Sequence, residues 1–439
     1  MDNQIKYQTI LLLINLTFYD NLQLKFSSVQ SNLQQVFNFL LNNKKDGELI
    51  ENALLLVKHI LHKDVNNQLY FIDKKLLSIF EIISDTHKFN TNIQFNLFKC
   101  SFMFATGTFF AEYVDEYKKI IPIILPYIEK SYLNLNDESV IDTIRQATFA
   151  LRNLTLRESL FDTITFYKIP SKAMTLYYYI EQCSIIDINK QIFIQLNIIK
   201  IIGDLLCGDD ILVQLLINEN VIQFLNHVLL KNELQLLKNV YWCIDSISCG
   251  TLGQINELYK HGTLFKVIEL CLGHYNEIVN LHPGECDNNR IMLLFDCFKG
   301  AIHAIAKAVI GSRFDNIITI LHYQDAVIIN LFCFGLVCFE EEYECNIKCL
   351  YNKYYKDKFE YYDEYILDIM KAINKIIAVN DIDVDMDSEE NEINDNKSYI
   401  SKLWQCDIKG KLEVLMRNAN AKIASGAEEL HNELIDDNY

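Results

Sequence analysis

The stretch Gln191–Ile255 reads QIFIQLNIIKIIGDLLCGDDILVQLLINENVIQFLNHVLLKNELQLLKNVYWCIDSISCGTLGQI, and it contains two similar units side by side. Each unit begins with an apolar segment of helical period, which breaks at a Cys-Gly step, Cys207-Gly208 in the first and Cys249-Gly250 in the second. An amphipathic segment and a longer apolar segment follow each break. We therefore expect each unit to be a small group of helices.

The two glycines are about 42 residues apart, and self-similarity at such a period is typical of HEAT and armadillo arrays. A unit of this kind buries its apolar face only by stacking on its neighbours. The sequence thus predicts an all-α fold, a right-handed α-solenoid of about eight to ten armadillo repeats. Further copies of the apolar helix are expected at Tyr7–Thr17, Glu51–Leu61, Phe95–Thr108, Ala147–Thr155 and Lys299–Gly311, with degenerate helices at Ile328–Phe339 and Ile366–Val379.

The pattern divides the chain into three parts. Residues 1–380 are the repeat array, which on this interpretation begins inside an early repeat. Residues 381–398 form a disordered acidic loop, and 399–439 a C-terminal helical capping repeat. Two polar stretches, Cys271–Ile291 and Glu340–Tyr365, are predicted to be insertions, the first a surface loop.

Composition excludes several classes of function. The net charge is −18, whereas nucleic-acid binding needs Lys and Arg for phosphate contacts, so we expect no nucleic-acid partner. The 13 Cys residues are expected to be reduced thiols. The sequence shows neither a signal peptide nor a sufficiently long apolar run, so no membrane association is expected. Without a recognisable catalytic motif, we predict neither an enzyme nor a cofactor.

Two metal sites remain as minor alternatives. Carboxylates in Asp381–Asp395 are spaced partly like those of a calcium loop, but Met386 stands where the turn glycine belongs. Cys333, Cys338, Cys345 and Cys349 have gaps in the range of zinc ligands, yet the first two lie in an apolar run typical of a buried helix.

The repeats resemble those of importin-α, the armadillo adaptor that carries nuclear localisation signals. The segment IIKIIGDLLCGDDILVQLLINENVIQFL, with its Gly-Asp-Asp turn, is similar to one repeat of that family, and YWCIDSISCGTLGQINELYKHGTLFKVIEL is similar to the next. The C-terminal KLEVLMRNANAKIASGAEELHNEL is similar to the family's closing unit, which also follows an acidic segment.

The resemblance implies a peptide-binding groove lined by the third helix of each repeat. In the family, a Trp and an Asn one helical turn later recur there; the amide binds a peptide backbone, and the indoles hold Lys side chains. The matching pairs here are Leu11/Asn15, Leu55/His59, Lys99/Met103, Phe149/Asn153, Lys200/Asp204, Trp242/Ser246 and His303/Lys307. Few keep the family's residues, and Lys99 and Lys307 are expected to repel a basic peptide.

From these pairs we predict a peptide-binding site, and the resemblance implies nuclear import of a protein cargo through a basic segment, with cytoplasmic and nuclear localisation. The predicted peptide-binding residues are Asn15, Phe149, Asn153, Lys200, Asp204, Trp242, Ser246 and His303. Trp242 could instead be a packing residue, and Asn15 and Asn153 could be local polar residues.

The family also binds importin-β through a basic N-terminal arm and is returned by an export receptor. The first 30 residues here contain only Lys6 and Lys25 as basic residues, so the arm is not recognisable. The alternative hypothesis is therefore an armadillo scaffold that holds one dedicated protein partner and has no role in transport.

Overall fold

A computed structural model describes residues 8–9, 12, 30–43, 45–61, 65–129, 135, 137–280, 287–337, 362–386, 399–418 and 420–436. The chain forms two compact units, Met1–Leu205 (unit 1) and Leu206–Tyr439 (unit 2). Both are all-α, and these residues contain no β-strand. The helical-repeat class predicted from the sequence is confirmed.

Unit 1 consists of helices joined by short turns and three 3₁₀ segments, Ala111–Tyr113, Leu125–Tyr127 and Glu158–Leu160. Its helices are α1 (Gln30–Asn43), α2 (Gly47–Leu61), α3 (Val65–Asp73), α4 (Leu76–Thr86), α5 (Thr91–Thr106), α6 (Val114–Lys118), α7 (Ile120–Ile124), α8 (Glu138–Thr155), α9 (Phe161–Phe166), α10 (Ile169–Glu181) and α11 (Ile188–Leu206).

Unit 2 continues the same alternation of short and long helices. Its helices are α12 (Asp210–Asn218), α13 (Val221–Leu229), α14 (Leu234–Ser248), α15 (Leu252–Lys260), α16 (Thr263–Val279), α17 (Asn288–Gly311), α18 (Phe314–His322), α19 (Val327–Val337), α20 (Tyr362–Met386), α21 (Tyr399–Gln405), α22 (Ile408–Leu415) and α23 (Ala421–Asp436).

Three successive helices form one repeat, as in α12, α13 and α14, which is the armadillo arrangement rather than the two-helix HEAT one. The first helix begins at a polar cap. Asp209 accepts a hydrogen bond from the Leu212 amide, and Thr251 and Gln254 form a capping box at the start of α15. Such caps satisfy amides that the first turn leaves without partners. Among the described helices, the third helices of the repeats are α2, α5, α8, α11, α14, α17, α20 and α23, and the predicted site residues other than Asn15 lie on them.

A residue with positive φ separates the first helix from the second in successive repeats. This conformation is costly for residues other than Gly, because Cβ approaches the following carbonyl oxygen. Its recurrence at this junction in six repeats shows that the repeat geometry favours it, although Lys119 at the junction of α6 and α7 has φ −73°. The residues are Lys75 (φ 59°), Lys168 (53°), Asn220 (67°), Gly262 (69°), Gln324 (46°) with Asp325 (56°) and Ala326 (58°), and Asp407 (54°).

The third helices pack closely, as Gly300 illustrates. A Cβ at Gly300 on α17 would lie 3.2 Å from the Cβ of Tyr241 on α14. Tyr241 is fully buried, and its hydroxyl lies 3.0 Å from Nε2 of the buried His274 on α16. A side chain larger than hydrogen at Gly300 would therefore push α17 away from this contact.

Two sequence predictions of loop structure are wrong. The polar stretch expected to be a surface loop from Cys271 is helical as far as Val279, because His274 and Ile278 turn inward and continue the buried face of α16. Likewise α20 continues to Met386, into the segment predicted to be a disordered acidic loop. Residues 387–398 lie outside the described residues, so the remainder of that loop stays a prediction, as does the division into array, loop and cap.

One segment of the described chain, Phe314–Leu336, is long and apolar enough to cross a membrane, with 23 residues and a mean hydropathy of 1.6. Half of it is buried in the protein. It consists of α18 and α19, which are separated by a 3₁₀ turn over Tyr323–Ala326. The segment thus supplies the first two helices of one repeat.

Candidate functional site

The third helices of unit 1 carry a row of phenylalanine rings. Phe149 on α8 lies between Phe102 on α5 and Phe193 on α11, with ring centroids 6.5 Å and 6.3 Å apart. Phe102 and Phe149 are half-buried, and Phe193 is 40% exposed. These distances lie in the range in which aromatic rings attract one another. We call these three residues the aromatic row, an apolar surface that crosses three successive third helices.

Asn153, the predicted partner of Phe149 in the ladder, is bound within its own helix. Its Nδ2 atom donates to the Phe149 carbonyl oxygen at 3.0 Å, and the residue is half-buried. One of the two N–H groups that a ladder would offer to a peptide carbonyl is thus bound within the helix.

Asp204 on α11 turns toward the preceding third helix. Its carboxylate accepts a hydrogen bond of 2.8 Å from the Thr155 hydroxyl on α8. Burial raises the pKa of Asp204, while the hydrogen bond from Thr155 and the positive charges of Arg152 and Lys200 oppose that rise. The predicted pair Lys200/Asp204 therefore includes a carboxylate that joins two third helices.

Lys99 on α5 lies over aromatic rings of its own helix. Its Nζ atom is 4.7 Å from the ring centroid of Phe95 and 5.7 Å from that of Phe98. It also donates a hydrogen bond to the Gln146 side-chain oxygen on α8. Burial, followed by the nearby positive charge of Lys58, lowers the pKa of Lys99. The Lys99 ammonium group is thus held by two aromatic rings and a side-chain amide oxygen.

Arg145 on α8 lies one helical turn before Phe149. Its guanidinium carbon is 5.8 Å from the ring centroid of Phe193, and its NH2 atom is 3.7 Å from Asp142. Asp142 also lies 3.4 Å from Lys190, which makes a shorter contact of 2.6 Å with Glu138. One carboxylate thus serves two cations beside the aromatic row.

In unit 2, Trp242 and Ser246 lie on α14 one helical turn apart, as predicted. Trp242 is half-buried, and the Ser246 hydroxyl donates to the Trp242 carbonyl oxygen at 3.0 Å. The Ser246 oxygen is also 3.5 Å from the Cys207 sulfur. Both site residues are accessible in part, but the Ser246 hydroxyl is engaged locally.

His303 on α17 lies between two carboxylates of neighbouring third helices. Its Nδ1 atom is 3.1 Å from Asp245 on α14, and its Nε2 atom is 3.1 Å from Asp368 on α20. Burial lowers the pKa of His303, but the contacts with Asp245 and Asp368 outweigh burial and raise it to about 9. At neutral pH the imidazole is therefore protonated and joins three helices.

Lys307 completes this network. Its Nζ atom lies 2.7 Å from Asp368 and 3.6 Å from Glu364, and Lys371 lies 3.1 Å from the other oxygen of Asp368. Burial would raise the pKa of Asp368, whose side chain is 3% exposed, but hydrogen bonds from His303, Lys307 and Lys371 hold it well below its usual range. The positive charge of Lys307, expected to repel a basic peptide, is offset within the protein.

Contacts between third helices are staggered by about one turn relative to the repeat alignment. The alignment places His303 opposite Trp242, but the structure pairs His303 with Asp245, further along α14. Similarly, Phe149 contacts Phe102, whereas the alignment places it opposite Lys99. This stagger explains why the sequence ladder missed Phe102 and Asp245. It missed Asp368 because the ladder did not extend to α20, and Phe193 because this residue lies about two turns before the aligned Lys200. Arg145 lies one turn before Phe149 on α8, and Phe193 lies before Lys200 on α11. Only the structure shows that Arg145 and Phe193 contact each other.

The remaining sequence candidates are placed as follows. Asn15 lies outside the described residues, so it stays a prediction. Cys333 is buried in α19, and the other three cysteines of the proposed zinc set also lie outside the described part. Among the residues that the structure describes, no group of three or more His, Cys, Asp or Glu could hold a metal ion.

No protein-family model matches this chain. No curated protein matches it either. Among solved structures, an engineered protein superposes with a TM-score of 0.61 over 99% of this chain and 96% of its own, at 12% sequence identity. A designed armadillo repeat protein, and another in complex with the peptide (KR)4, each give a TM-score of 0.45 at 16% identity, covering 72% of this chain and 99% of their own.

At 12% identity, the similarity to the engineered protein bears on the fold alone. It agrees with the three-helix repeats described above, so this chain has an all-α fold of stacked armadillo-type repeats.

Proposed function

We propose that this chain is a repeat scaffold that binds an extended segment of a protein partner across the third helices of unit 1. The observation that carries the proposal is the aromatic row of Phe102, Phe149 and Phe193. Partly exposed aromatic rings that continue across several helices are costly to leave in water, and aromatic side chains are enriched at the centres of protein interfaces.

The polar residues around the row favour a scaffold over a ladder of the importin type. A ladder needs Asn amides that are available to the peptide backbone, and one of the two N–H groups of Asn153 is bound within its own helix. It also needs rings that receive Lys side chains of the ligand, and here Lys99 and Arg145 of the chain itself lie over Phe95 and Phe193. A dedicated partner with another pattern of side chains fits these features better.

The proposal is tested by selecting 12-residue peptides from a display library on the whole chain and measuring their affinities. A Phe149→Ala/Phe193→Ala variant should lose about tenfold or more in affinity for the selected peptides, because such rings dominate the energy of interfaces. Phe89→Ala/Phe166→Ala is the matched control, since both rings are highly exposed and lie outside the third helices. Equal affinity for the two variants would contradict the proposal.

A second candidate is import of a nuclear cargo through a basic segment, with the adaptor moving between cytoplasm and nucleus. The observation in its favour is Trp242, a half-buried indole at the expected place on α14. A bipartite Lys/Arg-rich peptide should then bind at physiological salt and weaken about tenfold with Trp242→Ala. Binding that disappears with salt would exclude this candidate, because the negative net charge alone attracts such a peptide.

A further inference from the structure

Three third helices of unit 1, α5, α8 and α11, carry more positive than negative charge, in contrast to the chain as a whole, whose net charge is −18. The charged residues of α5, α8 and α11 comprise five cations and three anions. They are Lys99, Arg145, Arg152, Lys190 and Lys200 against Glu138, Asp142 and Asp204. The helices of the aromatic row thus form a basic region on an acidic protein.

Several of these cations have weak or absent carboxylate contacts in the described part of unit 1. Lys99 is held by two rings and the Gln146 oxygen; burial and Lys58 lower its pKa, and Asp142 partly opposes them without making an ion pair. Arg145 reaches Asp142 only at 3.7 Å. The buried Nε atom of Arg152 has no hydrogen-bond acceptor among the described residues, although the charge of this residue acts on the carboxylate of Asp204. Lys190 is paired with Glu138 at 2.6 Å, so the least compensated positive charges at this surface are those of Lys99 and Arg145.

Unit 2 provides the comparison, because several cations on its third helices have close carboxylate partners, whereas Lys375 donates to the backbone carbonyls of Ile310 and Ser312. Lys238 lies 2.7 Å from Asp296, and Lys307 lies 2.7 Å from Asp368. His303 lies 3.1 Å from both Asp245 and Asp368. The same repeat geometry can thus pair its charges internally, and unit 1 does so less completely.

We propose that the partner segment bound by unit 1 is acidic, with Asp or Glu side chains alternating with apolar or aromatic ones. This inference rests on the proposed function and specifies its ligand. Carboxylates would bind Lys99 and Arg145, and the intervening apolar side chains would pack on the aromatic row. An arginine that lies over a ring keeps its N–H groups in the plane of the guanidinium, where they can bind a carboxylate in bidentate fashion.

Both charge and burial would stabilise an acidic segment bound at this surface. Burial and the positive neighbour Lys58 disfavour the charged form of Lys99, Asp142 partly opposes them, and a carboxylate placed beside Lys99 would favour the charged form further. Partial burial reduces screening by salt. The opposite ligand, a Lys/Arg-rich segment, would bring like charges next to Lys99, Arg145 and Lys190 and is disfavoured at this surface.

The test is a fluorescence-anisotropy titration of the whole chain at physiological salt with two labelled 12-residue peptides. One alternates Glu with Phe and Leu, and the other replaces every Glu with Lys. We expect the acidic peptide to bind at least tenfold more tightly than the basic one, despite the negative net charge of the protein. Lys99→Gln/Arg145→Gln should remove at least nine-tenths of that affinity.

The matched control is Lys74→Gln/Lys88→Gln, which removes the same charge from exposed residues outside the third helices and should leave affinity unchanged. Thermal melting checks that both variants fold, and Arg145→Glu supplies a second variant if Lys99→Gln does not. Preference for the basic peptide, absence of acidic-peptide binding, or equal loss in both double variants would each overturn the inference. Display-selected peptides that depend on Phe149 and Phe193 but carry no acidic residues would overturn it while leaving the scaffold function in place.

Discussion

The Nε2 atom of His303 lies 3.1 Å from a carboxylate oxygen of Asp368, one of the most buried charged side chains of unit 2. Lys307 and Lys371 also contact Asp368, and Asp245 lies on the other side of the imidazole. A buried carboxylate surrounded in this way is stable only while its cations are present. The network therefore joins three third helices, and its state of protonation affects their stability.

The first prediction concerns pH. The pKa of His303 in the folded protein is about 9, above its ordinary value of 6.5, so the folded state binds the proton more tightly than the unfolded state. This contribution to stability is fully present below about pH 6.5 and is lost as pH rises through about 9. Chemical denaturation between pH 6 and 10 should show that decline in the wild type.

The matched variants identify its source. His303→Gln should lower the free energy of unfolding at pH 6.5 and flatten the decline, whereas His261→Gln should leave it unchanged. The His261 ring lies 3.4 Å from Glu257 and 3.5 Å from the Gln223 side chain, and none of these residues belongs to the network. The same decline in His303→Gln as in the wild type would show that another group titrates; the charged neighbours are Asp245, Lys307, Glu364, Asp368 and Lys371, with the Cys249 thiol, whose pKa burial raises to about 11.

The second prediction concerns Asp368 itself. Asp368→Asn removes the carboxylate and leaves His303 and Lys307 without their shared partner. Because breaking one side of a buried ion pair leaves an uncompensated charge, we expect a loss of roughly 3 kcal/mol in the free energy of unfolding. Asp363→Asn, at an exposed position of the same helix, should cost much less. Similar losses for both would indicate that the network contributes little.

The third prediction concerns the positive-φ junctions. Lys168 has φ 53° between α9 and α10, a conformation that Gly adopts at little cost. Lys168→Gly should therefore raise the free energy of unfolding by about 0.5–1 kcal/mol. Lys172→Gly, inside α10, should lower it by about the same amount. Destabilisation by both substitutions in urea denaturation would refute this interpretation of the junction.

The fourth prediction compares two helical glycines. Gly273→Ala on α16 meets nothing within 4 Å, so the better helix propensity of Ala should stabilise the protein by up to about 1 kcal/mol. Gly300→Ala on α17 places a methyl group 3.2 Å from Tyr241 and should be destabilising. The melting temperatures of the two variants, each compared with that of the wild type, test these opposite expectations. Equal stabilisation would mean that α14 and α17 can separate without cost.

The sequence was sufficient for the repeat and for its third helices, because Cys207-Gly208 and Cys249-Gly250 mark where apolar helices end. It was insufficient where polar residues point inward. His274 lies in a stretch that looks like a loop, yet its ring binds the Tyr241 hydroxyl inside unit 2. This contact joins α14 and α16, so the residues that surround His274 in the sequence do not indicate it.

The candidate site shows the same limit. Phe149, Trp242 and His303 were predicted from the repeat alignment, and all three lie on third helices. Their neighbours were not predicted, because the one-turn stagger between adjacent helices is set by side-chain packing and not by repeat length. Phe193 belongs to the site because its ring lies beside that of Phe149, a contact that the sequence pattern does not indicate.

The central claim is that a partner segment lies across the third helices of unit 1, and photo-crosslinking tests it most directly. A benzoylphenylalanine would replace Phe193 in one sample and Phe166, 78% exposed and on α9, in another. Each sample would be irradiated with a saturating display-selected peptide. If the segment lies across these helices, a peptide adduct is expected at position 193 and little at position 166. An adduct mainly at position 166, or none at position 193 while the peptide is bound, would contradict it.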